Sequence, residues 1–132
     1  MTAKAYFNEL ILIDKQIYAK LEEIDRLNDL AAKCTSTLMA TPGGGNGSLE
    51  DTIARIVDYK REVNADIDKL VGMKRERRGV IEQLPNKEHR LILTKRYICG
   101  HRWEKIAVDL GYDLRYLYKM HGKALQEAQN FL

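Results

Sequence analysis

Apolar residues in the first third of the chain follow the spacing of a coiled coil. Between about Ala3 and Ala40 they recur at alternating steps of four and three residues, and only Lys20 interrupts the series. A repeat that averages 3.5 residues keeps one stripe of a helix turned toward a partner helix. The pattern therefore predicts one long helix with this seam: Tyr6, Leu10, Ile13, Ile17, Ile24, Leu27, Ala31, Cys34 and Leu38.

A second segment of the same kind follows a glycine-rich break at residues 41–47. Proline removes a backbone donor and glycine disfavours a helix, so the break predicts a loop. No Gly-Lys-Ser/Thr follows it, and a phosphate-binding loop is therefore not expected. Steps of four and three then resume, with Lys60, Lys74 and Arg77 in the same register. The apolar members of this second seam are Leu49, Ile53, Ile56, Val63, Ile67, Leu70, Ile81 and Leu84.

Two helices of nearly equal length joined by a short loop predict a long antiparallel helical hairpin, a coiled coil, over residues 1–84. Such a hairpin buries little core by itself. Its outer apolar residues, Leu21, Leu30, Val57 and Val71, therefore predict a homodimer or a higher homo-oligomer. Whether the seam closes within one chain or between chains stays open. The charge run at residues 74–78 is interpreted as solvated helix surface, with an auxiliary phosphate contact as the alternative.

Leu84-Pro85-Asn86 marks a boundary, because proline suits the first turn of a new helix and disfavours a helical residue before it. A third helix is expected from about Pro85 to Cys99, where Gly100 ends it. Its inner side is predicted to hold Leu91, Ile92, Lys95 and Ile98. The fold class is thus all-α, with the hairpin followed by a three-helix domain over residues 85–132.

The last two helices have the layout of a helix-turn-helix unit. Trp103, Ile106, Ala107 and Leu110 share one face of a short fourth helix over residues 103–110. Gly111 supplies a turn in which a positive φ is easiest, and Asp113 is a good N-cap for a fifth helix. That helix is expected to turn the following residues inward: Leu117, Met120, Ala124 and Leu125.

The first turns of the fifth helix then expose the residues that a recognition helix presents to base edges. Arg115 is the best candidate for base contact, because arginine donates two hydrogen bonds to guanine. Lys119 and Lys123 suit phosphates as point charges, and Tyr118 suits a thymine methyl group or a phosphate. The complete set of predicted DNA-binding residues is Leu114, Arg115, Tyr118, Lys119, Lys123 and Arg102.

The distribution of charge agrees with a polyanionic partner for this part of the chain. Residues 85–132 hold nine basic and five acidic side chains, whereas residues 1–84 hold 13 basic and 14 acidic ones. All three histidines also lie in the C-terminal part. A basic domain beside a nearly neutral one is typical of a nucleic-acid-binding protein, and double-stranded DNA is the expected partner.

Residues 84–125 resemble region 4 of bacterial sigma factors, which recognises the −35 promoter element. The shared pattern is Leu-Pro, then Arg-Tyr-x-x-Gly, then Trp-Glu-x-Ile-Ala-x-x-Leu-Gly-Tyr, and a last helix that contains His-Gly-Lys-Ala-Leu. The whole layout is similar to short phage-borne proteins of Gram-positive bacteria, and to late-gene regulators of the ArpU and RinA type. Leu114 and Tyr118 replace residues that are usually polar or basic in sigma factors, so recognition of the −35 element is not expected to carry over. No region 2-like segment is recognised, so a complete sigma factor is not expected.

The resemblance implies Leu114, Arg115, Tyr118 and Lys119 as DNA contacts, and the host RNA polymerase as a further partner. The predicted function is sequence-specific transcriptional regulation of phage or prophage genes. Two alternatives stay open. One is a DNA-packaging protein that resembles a terminase small subunit, and the other is an adaptor that binds RNA polymerase without binding DNA.

Other chemistry is not expected. His89, Cys99, His101 and His121 match no standard zinc spacing, and neither a catalytic triad nor a pair of pocket carboxylates is suggested, so we expect no enzyme, metal or cofactor. Cys34 and Cys99 form no CxxC pair and are expected to be reduced and buried. No apolar run approaches the roughly 18 residues of a membrane span, and no signal peptide is recognised, which predicts a cytoplasmic protein without membrane contact.

Overall fold

The computed structural model describes residues 1–40 and 46–132, and it describes side chains for residues 1–33 and 49–132. These residues are mostly helical and contain no strand, which confirms the all-α prediction. A π-helical turn, Thr94–Ile98, continues the third helix directly. The helices are α1 (Ala3–Ala40), α2 (Asn46–Glu82), α3 (Lys87–Leu93), α4 (Trp103–Leu110) and α5 (Leu114–Gln129).

Contacts divide the chain into two compact units. Unit 1 contains Met1–Ile13 and Leu70–Leu132, and unit 2 contains Asp14–Lys69. The beginning of α1 and the end of α2 therefore belong to the same unit as α3, α4 and α5. The boundary after Leu84 stays a prediction. Residues 41–45 of the expected loop lie outside the described residues, whereas its last two residues, 46–47, are already helical in α2.

In unit 2, α1 and α2 are joined through both apolar and charged groups. The buried apolar residues are Ile17, Ile24, Ile56 and Val63. The amino group of Lys20 lies 2.7 Å from a carboxylate oxygen of Asp66 and 3.6 Å from one of Glu62. The hydrogen bond from Lys20 to Asp66 raises the lysine's pKa. The residue that interrupts the apolar seam of α1 is thus matched by a carboxylate on α2.

The apolar seam predicted for α2 was wrong at every second position from Ile53 to Ile67, whereas Ile81, nearer the end of the helix, is buried as predicted. Ile53 and Ile67 are 48% and 40% exposed, and Lys60 is exposed as well. Tyr59 and Asp66, each one residue earlier, are half-buried instead. The physical reason is pairing with polar groups of α1. Asp66 binds Lys20, and a hydrogen bond from Tyr59 to Glu23 raises the tyrosine's pKa.

Unit 1 contains a second charged group in the interface between α1 and α2. The Arg77 side chain is buried, its guanidinium forms an ion pair with Glu9, and its Cζ lies 4.1 Å from the centre of the Tyr6 ring. Its Nε also donates a hydrogen bond to the Tyr6 carbonyl oxygen. The interpretation of residues 74–78 as solvated surface was therefore wrong for Arg77, because an anion and an aromatic face compensate its burial.

The beginning of α1 packs against the C-terminal helices in the same unit. Phe7 is completely buried, and its ring stacks on Tyr97 with a centroid distance of 5.2 Å. The Ala3 N–H donates a 2.7 Å hydrogen bond to Oε1 of Gln129. These contacts join residues that are about 90 to 126 positions apart in the chain, so helical periodicity could not predict them.

The third helix differs from the predicted one at both ends. It begins at Lys87, because the Asn86 side chain accepts hydrogen bonds from two backbone N–H groups and caps it. Leu91, predicted to face inward, is 43% exposed, whereas Leu93 is buried. The π-helical turn shifts the register after Leu93, since it inserts one residue into the helical repeat. Cys99, expected to be buried, is exposed, and the side chain of Cys34 lies outside the described residues.

Among the described helices, none combines the length and the apolar character that crossing a bilayer requires.

Replacing Phe7 with alanine should lower the free energy of unfolding by about 3–5 kcal/mol, because the change leaves a cavity beside Tyr97 in a closed core. Urea unfolding monitored by circular dichroism measures the loss. Leu12→Ala, at a residue of the same helix that is 57% exposed, is the control and should cost less than about 1 kcal/mol. Equal losses in the two variants would contradict the packing of α1 against Tyr97.

Candidate nucleic-acid interface

A small apolar core joins α4 to α5 and fixes which side of α5 is covered. It consists of Ile92, Ile106, Ala107, Leu117 and Met120. Three partly buried side chains pack around this core: Trp103, Leu110 and Tyr112. The inward positions expected for both helices are therefore confirmed, with Ala124 buried as well, except that Leu125 is only half-buried. Since Leu117 and Met120 are three residues apart, they anchor one face of α5 and leave the opposite face to solvent.

The turn between α4 and α5 has the backbone geometry that its residues predict. Gly111 ends α4 in the left-handed region, with φ 70° and ψ 30°. The Tyr112 N–H donates a 2.9 Å hydrogen bond to the Ala107 carbonyl oxygen. Asp113 then caps α5, and its carboxylate accepts a 2.8 Å hydrogen bond from the Tyr116 N–H. Both predictions for the turn, the glycine and the cap, are confirmed.

All six residues predicted to bind DNA have exposed side chains. Five of them lie on α5: Leu114, Arg115, Tyr118, Lys119 and Lys123. Steps of four residues connect Leu114 to Tyr118, and Arg115 to Lys119 and Lys123, so two neighbouring rows share the exposed face of the helix. We call these five residues the α5 face.

The cations of the α5 face are available to a ligand. Within the described part of the chain, Arg115, Lys119 and Lys123 form no ion pair, and the same holds for Arg102. Other lysines of this unit are neutralised. Lys95 and Lys105 lie 3.5 Å and 3.4 Å from the Asp109 carboxylate. Burial opposes the charge of Asp109, but these two lysines outweigh it and lower its pKa.

The sixth residue, Arg102, lies outside α5, at the N-cap of α4. Its side chain makes no capping hydrogen bond, and its backbone is extended. The next residue, Trp103, contacts Tyr118 edge-on with a centroid distance of 5.6 Å. Arg102 therefore stands at the end of α4 whose first residue, Trp103, contacts the α5 face.

Trp103 is surrounded by groups that hold it in place. Arg96 lies over its ring, with Cζ 4.7 Å from the centroid, and donates a 3.0 Å hydrogen bond to the His101 carbonyl oxygen. The His121 ring approaches Trp103 at 4.5 Å. The indole is half-buried against the core, which agrees with its predicted packing role. Its edge-on contact with Tyr118 restricts where that tyrosine can point.

Two histidines have partners that the sequence did not suggest. Tyr97 Oη lies 2.7 Å from His121 Nε2, and His89 Nδ1 lies 2.7 Å from a carboxylate oxygen of Glu127. Burial, reinforced by the charges of Arg96 and Lys4, lowers the pKa of His121 to about 4. Burial raises the pKa of Tyr97 to about 12. At neutral pH the hydroxyl of Tyr97 therefore donates to a neutral imidazole.

The described residues contain no cluster of three or more His, Cys, Asp or Glu side chains that could hold a metal ion. His89 and His121 are engaged with Glu127 and Tyr97, respectively. The groups that do gather on one surface are the cations and apolar side chains of the α5 face, and this composition suits an anionic ligand with apolar features.

No protein-family model, curated protein or solved structure matches the chain.

Two glycine substitutions should have opposite effects on stability. Gly111→Ala places a Cβ in open space but in a left-handed conformation, and should cost about 1–2 kcal/mol. Gly122→Ala lies within α5, also in open space, and should gain about 0.5–1 kcal/mol. Thermal or urea unfolding of both variants tests the turn. A neutral or stabilising Gly111→Ala would rule out the left-handed cap.

The lowered pKa of His121 should make the protein less stable in mild acid. The folded pKa of about 4 lies below the ordinary value of 6.5, so stability is retained above pH 6.5 and is lost as the pH falls toward 4. About 2.5 kcal/mol should disappear between pH 7 and pH 4.5 from this group alone. Urea titrations at the two pH values measure the loss.

His121→Gln should remove this part of the acid sensitivity, whereas His101→Gln, which leaves the Tyr97–His121 contact intact, should retain it. If wild type and His121→Gln lose the same free energy between the two pH values, the assignment to His121 is incorrect.

Proposed function

We propose that the chain binds double-stranded DNA, with α4, the turn at Gly111 and α5 acting as a helix-turn-helix unit. The observation that supports this best is the composition of the α5 face. It holds three cations that form no ion pair within the described residues, beside two exposed apolar side chains, on a helix whose other face packs into a core. The cations can bind phosphates, and the apolar side chains can contact the methyl groups and edges of bases.

The dimensions and order of the residues agree with major-groove binding. The 16 residues of α5 extend over about 24 Å, and the major groove of B-DNA, roughly 12 Å wide, admits a helix. In this proposal Arg115 donates two hydrogen bonds to a guanine near the start of α5. Leu114 and Tyr118 contact thymine methyl groups, while Lys119, Lys123 and Arg102 neutralise phosphates.

The same proposal assigns the architecture of the chain. Residues 1–84 form an antiparallel helical hairpin, and residues 85–132 form the three-helix domain that binds DNA. The order of the pairings in unit 2 supports the hairpin, since Lys20 of α1 meets Asp66 of α2 while the later residue Glu23 meets the earlier residue Tyr59. The turn geometry at Gly111 and the cap at Asp113 support the helix-turn-helix.

The biological setting follows from the resemblance of residues 84–125 to sigma-factor region 4. We infer a cytoplasmic transcriptional regulator of phage or prophage genes, with the host RNA polymerase as a second partner. Leu114 and Tyr118 stand on the α5 face where sigma factors usually have polar or basic residues. A target that differs from the −35 element therefore belongs to the proposal.

Fluorescence anisotropy with labelled DNA tests the proposal across several salt concentrations. Arg115→Ala/Lys119→Ala should weaken specific binding by at least about 30-fold, because a bidentate base contact and a phosphate contact are lost together. The slope of log K against log salt should become shallower by about one for the phosphate contact. Arg115→Ala alone should relax specificity at one base pair, and Lys119→Ala alone should weaken all sequences similarly.

Lys15→Ala/Arg26→Ala is the matched control, since it removes the same charge from exposed positions of α1. An equal loss in the control would show that net charge, and not the α5 face, determines binding. Absence of salt-dependent binding to any duplex would reject DNA binding and favour the adaptor. Selective binding to a packaging site with no promoter binding would favour the packaging protein.

A further inference from the structure

The pair of long helices in unit 2 has two flanks of different chemistry. One flank is polar, and two of its carboxylates contact groups of the same chain, since Glu23 pairs with Tyr59 and Glu62 lies 3.6 Å from Lys20. The opposite flank is apolar and exposed. Leu21 follows Lys20 by one residue and Ile67 follows Asp66 by one residue. Because the helices run in opposite directions, a step of about 100° displaces both residues to the same flank.

Each helix contributes a regular stripe of exposed residues to this apolar flank. The exposed fractions of its large side chains run from 39% for Leu21 to 63% for Tyr18. Single exposed apolar residues are common, but several large ones on the same flank of a helix pair indicate a contact surface. The α1 stripe is Tyr18, Leu21, Asp25, Asn28 and Ala32, and the α2 stripe is Ile53, Val57, Lys60, Asn64 and Ile67.

We propose that a second copy of this chain covers the apolar flank, about a two-fold axis parallel to the helices, so that the α1 stripe of each copy packs on the α2 stripe of the other. In such a dimer every residue keeps its height along the axis. The pairings within one chain, Lys20 with Asp66 and Glu62, give the relative heights of the two helices. The α1 stripe therefore meets residues of matching height on the partner's α2 stripe.

These heights bring apolar groups together at both ends of the contact and opposite charges together at its middle. The stripes have the same alternation of three- and four-residue steps in opposite order, so all five positions align at once. Tyr18 meets Ile67 of the partner subunit, Ala32 meets Ile53 of the partner subunit, and Asn28 meets Val57 of the partner subunit. At the centre, Asp25 meets Lys60 of the partner subunit, and Leu21 lies beside Asn64 of the partner subunit.

Charge complementarity favours a second copy over an unrelated partner. Neither Asp25 nor Lys60 has an ion-pair partner within the described residues of its own chain. The two-fold axis generates the Asp25–Lys60 pair twice in each dimer, because a two-fold interface uses the same surface on both subunits. The result is a four-helix arrangement. Beneath the new contact lie the buried residues of both copies, Ile17, Ile24, Ile56 and Val63. This inference does not depend on DNA binding.

Sedimentation velocity of the full chain over a range of concentrations tests the surface. Wild type should dimerise, and Leu21→Lys should raise the dimer dissociation constant by at least about tenfold, because it places a charge in the centre of the contact. Leu30→Lys is the matched control. Leu30 is 41% exposed, against 39% for Leu21, but lies on the polar flank seven residues after Glu23. It should leave the dissociation constant unchanged.

Exchanging the charges tests the register. Asp25→Lys and Lys60→Glu should each weaken the homodimer, because each sets like charges opposite one another. Mixing the two variants should produce a heterodimer, since both of its interfaces then pair unlike charges. Native mass spectrometry distinguishes the heterodimer from either homodimer. The proposal is overturned if wild type stays monomeric, if Leu21→Lys and Leu30→Lys behave alike, or if the mixture yields no heterodimer.

Discussion

The packing of Leu117 and Met120 against Ile92 and Ile106 determines the rotation of α5 about its own axis. A helix of this length exposes different side chains when it turns by one residue, about 100°. With these residues held in the core, Arg115 and Lys119 face solvent and have no carboxylate partner in the described chain. The availability of these cations, and with it the proposed binding of DNA, thus follows from apolar burial on the opposite side of the helix.

Polar groups inside the long-helix pair set its register. Burial of Lys20 or Arg77 without a partner would be costly, and each has a carboxylate on the other helix. A shift of one residue would separate Lys20 from Asp66 and would turn a different stripe of α2 inward. These ion pairs select one alignment among several that apolar contacts alone would tolerate. They also leave Ile53 and Ile67 outside the seam, where they form part of the apolar flank.

The proposed DNA binding and the proposed dimer are compatible, but neither requires the other. Proteins that bind DNA through a helix-turn-helix commonly act as dimers on two half-sites, since a two-fold axis in the protein matches pseudo-symmetry in the site. A dimer formed through unit 2 would supply two α5 faces. A monomer that binds DNA would support the proposed function alone, and a dimer that binds no DNA would support the proposed dimer alone. The sequence resemblance suggests a promoter-related target, whereas the α5 face provides the physical basis for binding.

The all-α fold class, the extent of α1 and α4 and the turn at Gly111 could be predicted from the sequence, because apolar spacing, glycine and a capping aspartate act over a few residues. The exposed side of α5 could also be predicted, since a helical repeat separates Arg115 from Leu117. The partners of Lys20, Arg77, Phe7 and His121 could not. These contacts join residues distant in the chain, and local periodicity contains no information on which distant groups meet. Tertiary packing therefore decided the register of α2, the burial of Arg77, the exposure of Leu91 and the neutral state of His121.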